Sequence, residues 1–250
     1  MRLLLTNDDG VFSPGLEALR NALSEDHDVW VCAPDGERSG MSHYITIKGP
    51  VAVKELAPQV MACSGSPADC VIVAVLSGIP GPPDMVLSGI NIGPNLGTDI
   101  IYSGTAAAAR QAALMGFPGV ALSLDGFSEP LHFKPLAEFV ADHIENLHAL
   151  WNSHHFININ APNTPGSVER VEITHPCRRL YNDRLHEFRA PRGETYYFMA
   201  GSPVESELTP GTDWYALSRG SLSISPIGID PINHHDDEAY RRALFVKSGV

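Results

Sequence analysis

The chain is predicted to be an α/β protein in which a mostly parallel sheet carries helices on both faces, and three observations support this. An apolar run, "RLLLT" (2–6), is followed by a helical one, "PGLEALRNALSED" (14–26), and by a second strand-like run, "VWVCA" (29–33). The order resumes at "DMVLSGI" (84–90), then a helix, then "GVALSL" (119–124). Strands alternating with helices are the pattern of parallel sheets covered on both faces. With 250 residues, 44% of them apolar, the chain can build one large core, or one core and an arm.

In the first helix Leu16, Leu19 and Leu23 recur at helical spacing. "HYITIKGPVAVKEL" (43–56) alternates apolar and polar residues around Gly49-Pro50 and predicts a projecting hairpin. "SPADCVIVAVLSG" (66–78) opens with Ser66 as N-cap, Pro67 in the first turn and Asp69 as an early acid, and closes at Gly78, so it reads as a helix. "PLAEFVADHIENLHALW" (135–151) is a further amphipathic helix, and "FININ" (156–160) is expected to be the last strand of the core. Beyond "APNTPG" (161–166) come isolated strand-like pieces, "VERVEIT" (168–174), "TYYFMA" (195–200) and "SLSISPI" (221–227), then a closing helix, "HHDDEAYRRALFV" (234–246). The expected organisation is a core over 1–165 and, over 166–250, an arm that packs on the main body or on another subunit.

Composition removes several function classes. Lys and Arg number 17 against 29 Asp and Glu, a net charge of −12, which opposes binding to a nucleic-acid polymer. The longest apolar run, "CVIVAVL" (70–76), falls far short of the roughly 20 residues of a membrane span. No secretory leader pattern opens the chain, so a cytoplasmic location is expected. The four cysteines, Cys32, Cys63, Cys70 and Cys177, lack CxxC spacing and read as reduced, buried thiols.

The chemistry lies in the loops. In parallel sheets ligands bind beyond the carboxyl ends of strands, so the loops after 2–6, 29–33 and 84–90 are expected on one rim. The first, "NDDG" (7–10), sets Asp8 beside Asp9. Either it is a solvated acidic turn, or a cation offsets the repulsion, and Mg²⁺, Mn²⁺ or Ca²⁺ suits oxygen ligands. The second, "PDGERSGMS" (34–42), offers the Ser39 hydroxyl beside a glycine. The third, "GINIGPNLGTDIIYSGTAAAARQAALMG" (89–116), is long, rich in glycine and amides, and has no Lys or Arg before Arg110. Asn91 and Asn95 can ligate a hard metal through side-chain carbonyls or donate to phosphate oxygens. Ser103, Gly104 and Thr105 open an alanine-rich helix, where they act as an ordinary N-cap or present hydroxyls and N–H groups to an oxyanion.

Together "NDDG" (7–10), "APDGERSG" (33–40), "GSPADC" (65–70), "SGINIGPNLG" (88–97), "YSGT" (102–105) and "GTDWYAL" (211–217) resemble the SurE family of metal-dependent 5'-nucleotidases, the stationary-phase survival protein E, in family order across most of the chain. The resemblance implies a Rossmann-like three-layer α/β/α core and one divalent metal ion per subunit, Mn²⁺ or Mg²⁺, held by Asp8, Asp9, Ser39 and Asn91. It implies hydrolysis of nucleoside monophosphates, with 3'-nucleotides and short polyphosphate as further substrates. It also implies a homodimer or homotetramer formed through exchanged C-terminal segments and a projecting hairpin. The chain departs from the family pattern at Ala106, at Arg110-Gln111 and at His43. Arg110 reads as part of a solvated face or as a substrate or subunit contact.

The mechanism this suggests is metal-assisted phosphomonoester hydrolysis, with Asp8 and Asp9 as catalytic carboxylates and with Asn95 and the Ser103–Thr105 turn on the remaining phosphate oxygens. Water is the favoured nucleophile over either carboxylate, because adjacent residues usually point apart. A haloacid dehalogenase-type phosphatase requires aspartates two apart, and here they are adjacent. A nucleotide-sensing module without turnover is the non-enzymatic alternative, and no GxGxxG supports a dinucleotide oxidoreductase. Asp230 and His234 resemble a pair near the family's subunit hinge. The run 234–237 reads as a charged helix start, and His154-His155 as a surface turn. Tyr196, Tyr197 and Trp214 are aromatic candidates for base stacking or for packing.

Overall fold

A computed structural model of the chain describes residues 1–179, 181–201 and 208–230. In order they form β1 (Arg2–Thr6), α1 (Pro14–Leu23), β2 (Asp28–Pro34), β3 (Val53–Ala57), β4 (Val60–Cys63), α2 (Pro67–Ser77), β5 (Met85–Ile92), α3 (Gly104–Leu114), β6 (Gly119–Asp125) and α4 (Lys134–Leu150). Then come β7 (His155–Pro162), β8 (Val171–Ile173), β9 (Arg184–Arg189), β10 (Thr195–Ala200), α5 (Asp213–Ser218) and β11 (Leu222–Gly228). Among the described residues nine strands make one sheet in the order β3-β4-β2-β1-β5-β6-β7-β11-β8, parallel from β4 through β7.

The alternation along β1 explains the three layers. Leu3 and Leu5 pack with Leu16, Leu19 and Leu23 of α1 and with Leu136, Val140 and Ile144 of α4. Leu4 faces the other way, onto Val71 and Ala74 of α2 and Ala108 and Ala112 of α3. All three leucines are 0% exposed, and burial of each contributes roughly 1.5–3 kcal/mol. The strand that carries the acidic turn is therefore anchored from both faces.

Strand order places the loops. From β1 the chain passes through α1 to β2 on one side, and only after α2 does it reach β5 on the other. The carboxyl ends of β2, β1 and β5 stand side by side at this reversal, where open α/β sheets bind ligands. The three loops expected on one rim are there.

Two expectations change. Residues 43–52 form no strand, and Gly49-Pro50 is not a hairpin turn. The antiparallel pair is β3 with β4, joined through Pro58-Gln59. The alternating segment spends its polar groups on the start of α2 instead: Thr46 N and Oγ1 donate to Asp69 at 2.9 and 2.7 Å, and Ser66 Oγ donates to Tyr44 O at 2.6 Å. The projecting ribbon is β9 with β10, and every residue of both strands is exposed.

The strand at 156–160 is also not the last of the sheet. β11 pairs antiparallel with β7, and β8 pairs parallel with β11, because a short strand gains its hydrogen bonds by extending an existing edge. The piece around 211–217 becomes α5, capped by Thr212. The segment 234–246 and His234 lie outside the described residues. Among those described, no helix is long and apolar enough to cross a membrane, and all four cysteines are buried and unpaired.

Candidate active site

The acidic turn is shaped by Asn7, fully buried at the end of β1. Its Nδ2 donates to Gly10 O at 2.9 Å and to Ser13 Oγ at 2.6 Å, and its Oδ1 accepts from Gly10 N at 3.1 Å. Gly10 sits at φ 102°, and a Cβ there would stand 3.3 Å from the Gly36 backbone, so only glycine lets the first and second loops approach. Asp8 is buried and faces the cleft, whereas half-buried Asp9 turns toward β5, where Ile92 N donates to its Oδ2 at 3.3 Å. The adjacent carboxylates take different partners, Thr105 for Asp8 and Ile92 for Asp9, and remain close enough to repel each other.

Hydrogen bonds join the loops. Arg38 N donates to Asp8 O at 2.7 Å, which ties the second loop to the first. Ser39 is exposed, and its Oγ donates to Glu37. Asn91 turns its Nδ2 onto the carbonyls of Ile92 and Gly93, at 3.2 and 2.7 Å, and among the described residues Oδ1 accepts no hydrogen bond. Asn95 is locked by groups on β6 and β7: its N donates to Asn160 Oδ1 at 2.8 Å and its Nδ2 to Ser123 Oγ at 2.9 Å, while its carbonyl accepts from Asn158 and Asn160.

At the start of α3 Ser103 does cap the helix, accepting from Ala106 N at 3.0 Å. Its hydroxyl hydrogen remains free to donate. Thr105 is 0% exposed, and its hydroxyl donates to Asp8 Oδ1, so it supports the carboxylate from behind. Gly104 packs against Asp8: a Cβ there would lie 3.0 Å from the Asp8 Cβ and Oδ2.

Asp8, Ser39, Asn91, Asn95 and Ser103 thus line one cleft of about 480 Å³, together with Asp99, Tyr102, Tyr181 and Asp183. Burial raises the Asp8 carboxyl above the usual range, against the opposing Thr105 hydrogen bond. Burial first, and then the charge of Asp8, push Asp9 up to about 7. Glu37 adds to the repulsion on both. Asp8, Ser39 and Asn91 bring a carboxylate, a hydroxyl and an amide oxygen to the cleft, and Asp9, which is outside the cleft lining, adds a second nearby carboxylate, so the oxygens here carry an excess of negative charge. That chemistry fits a hard divalent cation.

Because Asp9 holds its proton more tightly in the folded chain than its ordinary 3.8, the folded state carries the extra proton between that value and about 7. Stability without a cation is therefore expected to fall as pH rises through this window. The urea midpoint in chelator should decline from pH 4 to pH 7, and Asp9→Asn should flatten the decline. Mn²⁺ added above pH 7 should raise the midpoint. An identical slope in wild type and variant would refute the account.

Several contributors carry little signal in the sequence. Asn158 and Asn160 alternate with apolar residues in the strand at 156–160 and so share a face, the only hint of their grip on Asn95. Asp213 is 0% exposed; its Oδ2 accepts from Gly97 N at 2.7 Å, and its Oδ1 accepts from Cys177 N and Trp214 N at 2.9 and 2.8 Å. It ties α5 to the amide-rich loop. Trp214 packs with Leu96, Cys177 and Leu217 rather than facing the cleft. Arg110 covers the Phe156 ring at 5.2 Å, so it is neither a solvated face nor a lining group. Two departures from the family pattern meet: His43 Nε2 lies 3.0 Å from Gln111 Oε1. Asp230 lies 3.9 Å from His154, both side chains exposed.

Residues 3–183 match the family model described as Survival protein SurE. The chain is 40% identical over 245 residues to the 5'-nucleotidase SurE of Carboxydothermus hydrogenoformans, across 94% of this chain and 93% of that protein. It is 40% identical over 252 residues to the 5'-nucleotidase SurE of Desulforudis audaxviator, across 97% of each. The crystal structure of Sure protein from Aquifex aeolicus has the same fold, with a TM-score of 0.85 at 33% identity over 97% of this chain and 99% of that one. With a matching family model, relatives over nearly the full length and a rim that gathers the acidic turn and the amide loop, the chain belongs to the SurE family.

Proposed function

We propose that the chain is a divalent-metal-dependent phosphomonoesterase that hydrolyses nucleoside 5'-monophosphates to nucleoside and phosphate. The observation that carries this reading is the convergence of Asp8, Ser39, Asn91, Asn95 and Ser103 on one cleft in a SurE chain. Asp8, Asp9, Ser39 and Asn91 would hold the cation. When bound, it supplies Lewis acidity toward phosphate oxygens and neutralises their charge.

The other roles fall to the chain itself. Asn95, fixed by Asn158, Asn160 and Ser123, is a pre-set donor or acceptor at the phosphate. Ser103 and the Gly104 turn present a hydroxyl and the positive end of α3. Thr105 orients Asp8, and Asp9 is the second carboxylate of the same turn. Water is the nucleophile.

Assembly as a homodimer or homotetramer is part of the proposal. It is supported by Leu185, Phe188, Tyr196, Tyr197, Phe198 and Met199, all more than half exposed on a two-stranded ribbon, since such a ribbon is marginal by itself. A cytoplasmic location is supported by the four unpaired thiols.

The test is a panel of nucleoside 5'- and 3'-monophosphates assayed with Mn²⁺, Mg²⁺ or chelator. Phosphate release from the 5'-monophosphates that needs the cation is the expected result. Cleavage of generic chromogenic esters alone would overturn the nucleotidase reading.

A further inference from the structure

The cleft is larger than one phosphate group requires, and its second group of lining residues has no part in the chemistry above. Its deep wall is Asp8, Asn91, Asn95 and Ser103, all buried. Its rim is different: Asp99, Asp183, and the exposed Tyr102, Tyr181 and Met199, which are 65%, 40% and 77% accessible.

Tyr181 is held with unusual firmness for a rim residue. Its hydroxyl donates to Asp99 Oδ2 at 2.6 Å, and Arg179 Nη1 donates to the same oxygen at 2.5 Å. The Arg179 guanidinium stands 5.6 Å from the centre of the Tyr181 ring and 4.9 Å from that of Trp214. Thr98 Oγ1 donates to Arg179 O at 2.8 Å, which pins this segment to the amide-rich loop. The guanidinium therefore covers one face of the Tyr181 ring, while the ring still lines the cleft. A ring fixed in advance loses little conformational freedom when a flat partner stacks on it.

Charge narrows the choice of partner. Arg179 is committed to Asp99, and no Lys or Arg is among the described residues lining the cleft. Two carboxylates on the rim disfavour a second phosphate there and favour a group that is neutral, flat and hydroxylated. A nucleoside has those properties.

We propose that the rim is the nucleoside seat of this cleft, with Tyr181 stacking on the base and Asp99, held beneath it, accepting a sugar hydroxyl. This rests on the phosphomonoesterase reading for the deep wall. The rim offers stacking surfaces, and stacking tolerates any base because every base has a π-face. Purine and pyrimidine monophosphates should therefore be accepted alike.

The test uses the full chain with Tyr181→Ala and Tyr181→Phe, and follows kcat/KM with Mn²⁺ for AMP, UMP and the base-free ester β-glycerol phosphate. Tyr181→Ala should lower kcat/KM for both nucleotides by about 10–100-fold, mainly through KM, and leave the base-free ester within about twofold. Tyr181→Phe keeps the ring and should stay close to wild type on all three. Equal loss on all three substrates, or no loss on the nucleotides, overturns the proposal. Calorimetric titration with a phosphonate analogue of AMP and with inorganic phosphate separates binding from turnover. If Tyr181→Ala weakens the analogue and not phosphate while the wild type releases no phosphate from AMP, the seat stands and the hydrolase reading fails. If both ligands weaken equally, the seat is wrong.

Discussion

Asp8→Asn is expected to lower phosphate release from AMP by about 10³-fold, or about 4 kcal/mol of barrier. Asp8 is the carboxylate in the deep wall of the cleft, and asparagine keeps its shape while removing its charge. The Thr105 hydroxyl that now donates to Asp8 can still donate to the amide oxygen, so the turn retains its support. The same change removes the repulsion that, after burial, helps to hold the Asp9 carboxyl up at about 7. Cation-free stability should therefore hold or rise while activity collapses. Opposite signs in a thermal midpoint and an AMP assay would identify Asp8 as part of the site. A parallel loss of both, or unchanged turnover, would end the assignment.

Asp213→Ala should have the largest effect on stability. The carboxylate is fully buried and satisfies the backbone N–H groups of Gly97, Cys177 and Trp214. An unsatisfied buried donor costs roughly 1–3 kcal/mol, so losing all three should destabilise the chain by at least about 3 kcal/mol. The denaturant midpoint measures it. Gly97 lies between Asn95 and Ser103, so the damage should reach the phosphate end of the cleft, and kcat/KM for AMP should fall even where the variant is folded. Asp213→Asn keeps two of the three bonds if its carbonyl takes the place of Oδ1, and should lie between wild type and alanine. A midpoint shift under about 1 kcal/mol would mean that water replaces the carboxylate.

Much of the site was readable because its parts are local. The acidic turn, the Ser39 loop and the run from Asn91 to Thr105 each contain their chemistry within a few residues, and each follows a strand marked by an apolar run. Ser66, Pro67 and Asp69 announced a helix because capping is a contact between near neighbours, and the capping box is present. The residues that hold the loops in place could not be read this way. Asn158 and Asn160 reach Asn95 across more than 60 positions, and Asp213 reaches Gly97 across 116. Nothing near them in sequence separates a positioning amide from a surface one.

The alternation at 43–52 shows the opposite error, while its continuation at 53–56 does form a strand, β3. Its period of two is that of a strand, but the polar positions found better partners at the start of α2, and Asp69 took both Thr46 donors. Tertiary hydrogen bonds outweighed the pattern. The ribbon of β9 and β10 arises where Gly193 completes a turn at φ 99° between two strands, only one of which stood out as strand-like.

By itself the sequence determined which segments are strands or helices in the core, which turns carry carboxylates, amides and hydroxyls, and which family the chain resembles, because these depend on neighbours within a turn or two. The tertiary structure decided which of those turns meet, that Thr105 serves Asp8, that β8 and β11 extend the main sheet, and that Tyr181 stands on the rim of the cleft. Those outcomes depend on strand order and on contacts between residues far apart in the chain. Chain folding brings such residues together to satisfy buried polar groups and apolar faces, and no local pattern encodes the pairing.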